Sequence, residues 1–314
     1  MKKLFALLLA VAMLLTAASA LAEWPEKDIT IICTHGAGGD TDYNARLISR
    51  YLEQKLGVSV TVTNVTGSNG NIAMNQYKDG DNSGYTFVMT NTAALVGNEV
   101  TGVSDFSYEA FEPVAIYGRQ SGENIVVMAD SPYNTLQDLI DASQASPDTI
   151  TFGISTGGGV YIAATILNAN GLLCNFMDQG DANSRLVALL GGNAQVTDAP
   201  YATVKEYIEA GQVKSLCTLL GERPTLIPDI PTASETVPDC VINTLYACLA
   251  PKGTDSAIVQ KLNDAIMDIT ANDAAYAEEC RNYNLQDPWS LSVEDTLNEL
   301  KNQRDTFLKY IEMF

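Results

Sequence analysis

Three glycine-rich turns, each set between an apolar strand-like run and a helical period, constrain this chain more than any other feature. The first is Cys33-Thr34-His35-Gly36-Ala37-Gly38-Gly39-Asp40-Thr41-Asp42, the second Asn64-Val65-Thr66-Gly67-Ser68-Asn69-Gly70-Asn71, and the third Gly153-Ile154-Ser155-Thr156-Gly157-Gly158-Gly159. Glycine lets successive N–H groups turn toward one point. A helix N-terminus adds unpaired donors and about half a positive charge. Each turn is therefore a candidate seat for a carboxylate or phosphate. In open α/β sheets such turns gather at the carboxyl ends of the strands.

The rest of the chain supports that architecture. Apolar runs at Ile29–Cys33, Val58–Val65, Tyr85–Thr90, Ile125–Ala129, Thr149–Ile154, Val213–Leu219 and Thr244–Ala250 read as strands. Between them, Ala45, Ile48, Leu52 and Leu56 recur at helical spacing until Gly57 stops the helix. Ile258, Leu262, Ile266 and Ile269 do the same, and a helix from about Val160 closes at Asn170-Gly171. A last helix, Val293–Ile311, is expected to pack on the outside of the first lobe. Strands alternating with helices predict α/β with mostly parallel sheets. At 314 residues the chain has length for about two domains, and no Pro/Ser-rich linker separates them. Short hinges or strands crossing between lobes are expected.

Several function classes are excluded early. With 38 acidic against 18 basic residues the formal charge is −20, which repels nucleic-acid phosphates and anionic lipids. One histidine, His35, forbids a two-His zinc site. No metal and no cofactor are expected. Gly36 and Gly38 begin a dinucleotide fingerprint, but Thr41 stands where its third Gly belongs. Gly153-Ile154-Ser155-Thr156-Gly157 spells G-x-S-x-G in a strand-to-helix context, as in a nucleophile elbow. No His follows Ser155 in the chain, so a serine hydrolase is a minor alternative and the expectation is no enzyme. Residues 1–22 carry Lys2-Lys3, an apolar run to Leu15 and Ala20-Leu21-Ala22, which reads as a secretory signal peptide. The mature protein is expected in the periplasm or otherwise outside the cytoplasm, soluble. Export permits disulfides among the six cysteines, yet Cys33, Cys217 and Cys248 sit in strand runs where Cys behaves as a small hydrophobe. Spacing gives no connectivity.

At the turns the chain resembles the substrate-binding proteins of tripartite tricarboxylate transporters, the Bug receptors. Trp24-Pro25 leads into Ala37-Gly38-Gly39-Asp40-Thr41-Asp42, similar to the family's AGGGTD loop. Asn64, Gly67 and Gly70-Asn71-Ile72 look like its second glycine loop, and Gly84-Tyr85-Thr86 like its DGYT strand entry. Leu189-Leu190-Gly191-Gly192, then Gly211-Gln212-Val213-Lys214 with Pro228-Asp229-Ile230-Pro231-Thr232, then Ala250-Pro251-Lys252-Gly253-Thr254 with Leu262-Asn263 follow in order. The resemblance runs from about Trp24 to at least Tyr283. It implies a two-lobed periplasmic-binding-protein type II fold, two mixed sheets flanked by helices with a ligand cleft between lobes. Lobe one is expected over 23–122 plus 241–314, and lobe two over 123–240. The implied function is an exported, monomeric receptor that captures a small carboxylate-bearing metabolite and delivers it to membrane permease subunits. A sensor subunit feeding a signalling partner is the alternative.

Candidate ligand residues follow turn by turn. Lobe one offers His35, Ala37, Gly38, Gly39, Asp40 and Thr41, then Gly70 and Asn71, then Asn91 and Thr92 after the third strand; Asp42 reads rather as a helix cap. Lobe two offers Ser155, Thr156, Gly157 and Gly158, with Asp178 and Asp198 at the ends of strands. Three of these depart from the family pattern. Asp40 stands for the usual Gly, His35 precedes the Ala-Gly-Gly where a small residue is common, and Asp178 lies near an often aromatic position. They disfavour a tricarboxylate such as citrate. They leave a mono- or dicarboxylate, or an amino acid or other zwitterion whose ammonium they would pair.

Overall fold

A computed structural model describes residues 24–224 and 226–312; the expected leader at 1–22 lies outside them. The first lobe opens with β1 (Ile29–Cys33), α1 (Asp40–Leu56), β2 (Val60–Asn64), α2 (Asn71–Tyr77), β3 (Thr86–Asn91), α3 (Thr92–Val100) and β4 (Phe111–Arg119). Then come β5 (Glu123–Met128), α4 (Leu136–Ala145), β6 (Thr151–Ile154), α5 (Gly158–Ala169), β7 (Asn175–Asp178) and α6 (Ala182–Leu190). They are followed by β8 (Val196–Pro200), α7 (Tyr201–Glu209), β9 (Val213–Thr218), β10 (Leu245–Pro251), α8 (Ser256–Asn272), α9 (Ala274–Asn284) and α10 (Val293–Glu312). α1 forms where the apolar spacing predicts, and Gly57 ends it at φ 71°, a left-handed conformation that costs glycine little.

The two five-stranded sheets share one plan, β2-β1-β3-β10-β4 and β7-β6-β8-β5-β9. In each, three strands pair in parallel through helical crossovers. One strand per sheet runs the other way: β10 pairs antiparallel with β3 and β4, and β5 with β8 and β9. Alternation in sequence predicts mostly parallel sheets, and four of the five strands in each do run one way, the reversed strand making each sheet mixed. Both reversed strands enter their sheet directly after the chain has crossed from the other one, so they arrive from the opposite end. The strands β4, β7 and β8 were also absent from the apolar-run reading. β4 carries Glu112, Pro113 and Gly118 within its span, and β7 is a largely exposed sheet edge, so neither shows a strong apolar run.

The chain passes from the first sheet to the second through Gln120-Ser121-Gly122 and returns between Thr218 and Leu245. The two passes touch, with Leu219 N–H donating to Glu123 O at 2.7 Å and Ile242 N–H to Leu219 O at 2.7 Å. A single apolar cluster joins Ile32 and Val88 of one sheet to Ile125 and Val127 of the other. α3 and α5 meet at the seam between lobes: a Cβ on Gly97 would stand 2.3 Å from the Gly158 Cα. α10 was expected outside lobe one. It packs there, against α3, β4 and α8, and also reaches across this seam to α5, with Leu300 and Phe307 fully buried. Its apolar face finds more surface to cover where two lobes meet than on one alone. All six cysteines are free and buried. Among the described residues no helix is long and apolar enough to cross a membrane.

Candidate functional site

The three glycine turns converge between the lobes. A cavity of about 350 Å³ is walled by Thr34, His35 and Gly36, by Thr66–Gly70 and Val103, and from the other lobe by Ser155, Thr156, Asp178, Gly180 and Asp181. A smaller chamber of about 60 Å³ adjoins it, with His35, Asn69, Ser155 and Asp181 common to both. Its remaining wall includes Asp40, Asn91, Gln120, Glu123, Gly157, Arg185 and Thr244. The lobes come close at its rim, where a Cβ on Gly36 would stand 3.1 Å from the Asp181 carboxylate.

The first turn is held by a chain of side chains. Asn91 caps α3, its Oδ1 accepting from Ala94 N–H at 2.7 Å. This fixes its amide, so Nδ2 faces His35 Nε2 at 3.1 Å and Thr41 Oγ1 at 3.3 Å. Nε2 is then an acceptor, and the imidazole proton sits on Nδ1, 2.8 Å from Thr34 Oγ1. Thr34 in turn donates to Thr90 Oγ1. The network requires a neutral His35. Burial lowers its pKa below the usual 6.5, outweighing the pull of Asp40 in the other direction.

Much of the expected amide supply is consumed inside the loops. Gly38 N–H donates to Asp42 Oδ2 at 2.9 Å, and Gly39 N–H to Gly36 O. Asp42 also holds Arg46 and Asn64, and these bonds outweigh burial and depress its pKa. Thr156 N–H goes to Asp178 Oδ2 at 3.0 Å, and Gly180 N–H to Asp178 Oδ1 at 2.9 Å. Asp178 is thus a loop brace, its pKa lowered by those bonds against the effect of burial. What remains toward the larger cavity is loop backbone and hydroxyls of both lobes, with Asn69 and the Asp181 carboxylate on the same wall.

The smaller chamber is built from charge. Arg185 of α6 is buried and paired with buried Asp198 of β8, with Nε 3.1 Å from Oδ1. Its other nitrogens donate to Asp198 Oδ2 at 3.3 Å and to Gly180 O at 2.8 Å. Facing them from the crossover, Gln120 Nε2 donates both to Asp40 Oδ2 at 2.8 Å and to Glu123 Oε1 at 3.0 Å. Tyr246 O–H donates to Asp40 Oδ2 at 3.1 Å. Burial, then the nearby Asp198 carboxylate, pushes the Glu123 pKa well above the usual carboxylate range. Asp198 is itself raised by burial against the opposing Arg185.

Of the residues singled out in sequence, His35, Asp40, Gly70, Asn91, Ser155, Thr156, Gly157 and Asp178 reach a cavity wall. Ala37, Gly38, Gly39, Thr41, Asn71, Thr92, Gly158 and Asp198 line neither of these two. Thr41 serves Asn91, Thr92 Oγ1 accepts from Leu245 N–H, Asn71 Nδ2 donates to Val103 O, and Asp198 lies behind Arg185. Gly158 lies beneath the Asn69 amide, where a Cβ would stand 2.3 Å from Nδ2. Sequence reading missed Asn69, Gln120, Glu123, Asp181 and Arg185. The legible signal for two of them was Gln120-Ser121-Gly122-Glu123, a polar run between two apolar strands.

A pH test follows from these shifts. Glu123 faces Gln120, Asp40, Asp198 and Arg185. With a raised folded pKa, its contribution penalises the fold at high pH and fades as pH falls toward the ordinary value of 4.5. His35 has the opposite slope, withdrawing stability as pH drops below 6.5. Glu123→Gln is therefore expected to unfold at higher urea than the parent at pH 8, with the gap closing by pH 5. Equal midpoints throughout would show that Glu123 is not a destabilised carboxylate.

The sequence model of the family described as "Tripartite tricarboxylate transporter family receptor" matches residues 44–312. Protein BugT of Bordetella pertussis is 27% identical over 249 residues, covering 76% of this chain and 75% of that protein. A UPF0065 protein of the same organism is 28% identical over 303 residues, covering 93% and 91%. Among solved structures, the periplasmic binding protein BugD superposes with TM-score 0.83 at 22% identity, covering 92% of this chain and 98% of that one. Rpa4515 of R. palustris, solved with adipate, gives 0.84 at 23% identity over 92% and 97%. MatC of Rhodopseudomonas palustris, solved with malate, gives 0.78 at 20% over 90% and 100%.

Proposed function

This chain belongs to the tripartite tricarboxylate transporter receptor family, and from that premise we propose that it captures a small carboxylate-bearing metabolite between its lobes for delivery to a membrane permease. The observation that carries this reading is the paired cavity lined by glycine turns from both sheets. The fold neighbours solved with adipate and with malate support the carboxylate. The protein acts outside the cytoplasm in this reading, after loss of its leader.

Capture works by differential affinity. A ligand that touches Thr66–Gly70 on one side and Ser155–Thr156 on the other stabilises the closed arrangement over the open one. Neutral donors hold the carboxylate without a fixed counter-charge, which keeps release easy. The chain's negative charge repels anions only within about 8–10 Å at physiological salt.

Turnover is no part of the proposal. His35 is the chain's one histidine, and its Nε2 lone pair is engaged by Asn91. Ser155 therefore has no imidazole base in this arrangement. An active-site serine probe that labels Ser155 would overturn this point.

The direct test is a thermal-shift screen of the mature chain against small mono- and dicarboxylates and amino acids. A true ligand at 100 times its Kd adds about 2.7 kcal/mol of stability. No shift from any member would reject the receptor reading.

A further inference from the structure

We propose that the smaller chamber is an ammonium seat, built by Gln120, Glu123 and Asp40, so that the captured carboxylate also carries a primary amine. The inference rests on the receptor reading above and names its ligand class. Two polar side chains more than nine-tenths buried, Gln120 and Glu123, line this chamber; Gln120 Oε1 has no hydrogen-bond partner, and Glu123 is bonded to Gln120 and to the Asp198 carboxylate beside it. Orphaned buried acceptors are costly, and the cost is recovered when a ligand donates to them.

The polarity of the missing ligand group follows from what is already spent. The single Gln120 Nε2 is shared between Asp40 and Glu123, which fixes the amide with its oxygen outward. Arg185, the buried cation on the wall, is paired with Asp198 and bonded to Gly180 O. A carboxylate placed here would meet the Asp40 and Asp181 carboxylates beside buried Glu123, with the Arg185 charge already balanced by Asp198. An ammonium brings three N–H donors to Gln120 Oε1, the Asp40 carboxylate and Glu123, and its charge favours the ionised, accepting form of Glu123 that burial otherwise disfavours. The larger cavity beside Ser155, Thr156 and Gly70 then receives the carboxylate, with Asn69 and His35 on the common wall.

The sequence hinted at an ammonium through Asp40, His35 and Asp178. The seat itself depends on Gln120 and Glu123, which lie at the crossover, far from the glycine turns in sequence.

The experiment is isothermal titration calorimetry on the mature chain with matched pairs: the proteinogenic and straight-chain ω-amino acids, each beside its des-amino carboxylate. At least one amine member is expected to bind about 10-fold or more tightly than its des-amino partner. Glu123→Gln, which keeps the bond from Gln120 but turns an acceptor into a donor, is expected to erase that preference. If des-amino carboxylates bind as tightly as their amines in the parent protein, the seat is refuted while the receptor reading stands. If neither set binds, both fail. Because the parent comparison needs no variant, a Glu123→Gln chain that misfolds does not blunt the test.

Discussion

Arg185→Met is expected to destabilise the protein by about 3–5 kcal/mol, the range for breaking one side of a buried ion pair. Arg185 and Asp198 are 3% and 1% exposed, so water cannot replace the lost partner. The variant leaves the Asp198 carboxylate buried beside Glu123, and it removes the donor that holds Gly180 O at the start of α6. Urea denaturation measures the loss. The double variant Arg185→Met with Asp198→Leu should recover part of it, because a buried pair replaced by apolar groups of similar volume is often neutral or stabilising. Arg185→Lys should not recover it, since an ammonium cannot span both Asp198 oxygens and Gly180 O. A single-variant loss below about 1 kcal/mol would mean that the pair is hydrated rather than buried.

The second large effect belongs to the seam. In Gly97→Ala the new methyl would stand 2.3 Å from Gly158 Cα and 2.7 Å from its carbonyl carbon. Backbone cannot swing aside as a long side chain does, so α3 and α5 must separate. Overpacking of this kind costs about 1–3 kcal/mol. Separation also moves Gly157 and Gly159 away from Ala93 and Ala94, and all four line the smaller chamber. Weaker ligand binding is therefore expected together with the lower urea midpoint. Gly102→Ala is the comparison: its φ is positive, unlike that of helical Gly97, but no atom lies within 4 Å of the added Cβ, so it costs backbone strain without parting the lobes. Binding unchanged in Gly97→Ala would show that the seam does not govern the cleft.

Local pattern made the glycine turns and their flanking elements readable. α1 is fixed by its apolar spacing and by Gly57, and β1 by a continuous apolar run. The turns do lie together between the lobes, because parallel strands deliver their carboxyl ends to one edge of each sheet. Which amides those turns can offer was not readable. Gly38 and Thr156 look like free donors until Asp42 and Asp178 are seen to occupy them. Both acids lie close to their turns in space, Asp42 within four residues and Asp178 across twenty-two, so only the first was open to local reasoning.

By itself the sequence determined the alternation of strands and helices, the three turns and the family to which they belong, since each is written in neighbours a few residues apart. Tertiary structure decided the direction of β5 and β10, the reach of α10 across the seam and the charged chamber. Asp40, Gln120, Glu123, Asp198 and Arg185 come from both lobes and from the crossover, and their chemistry exists only once burial removes water and brings them within bonding distance.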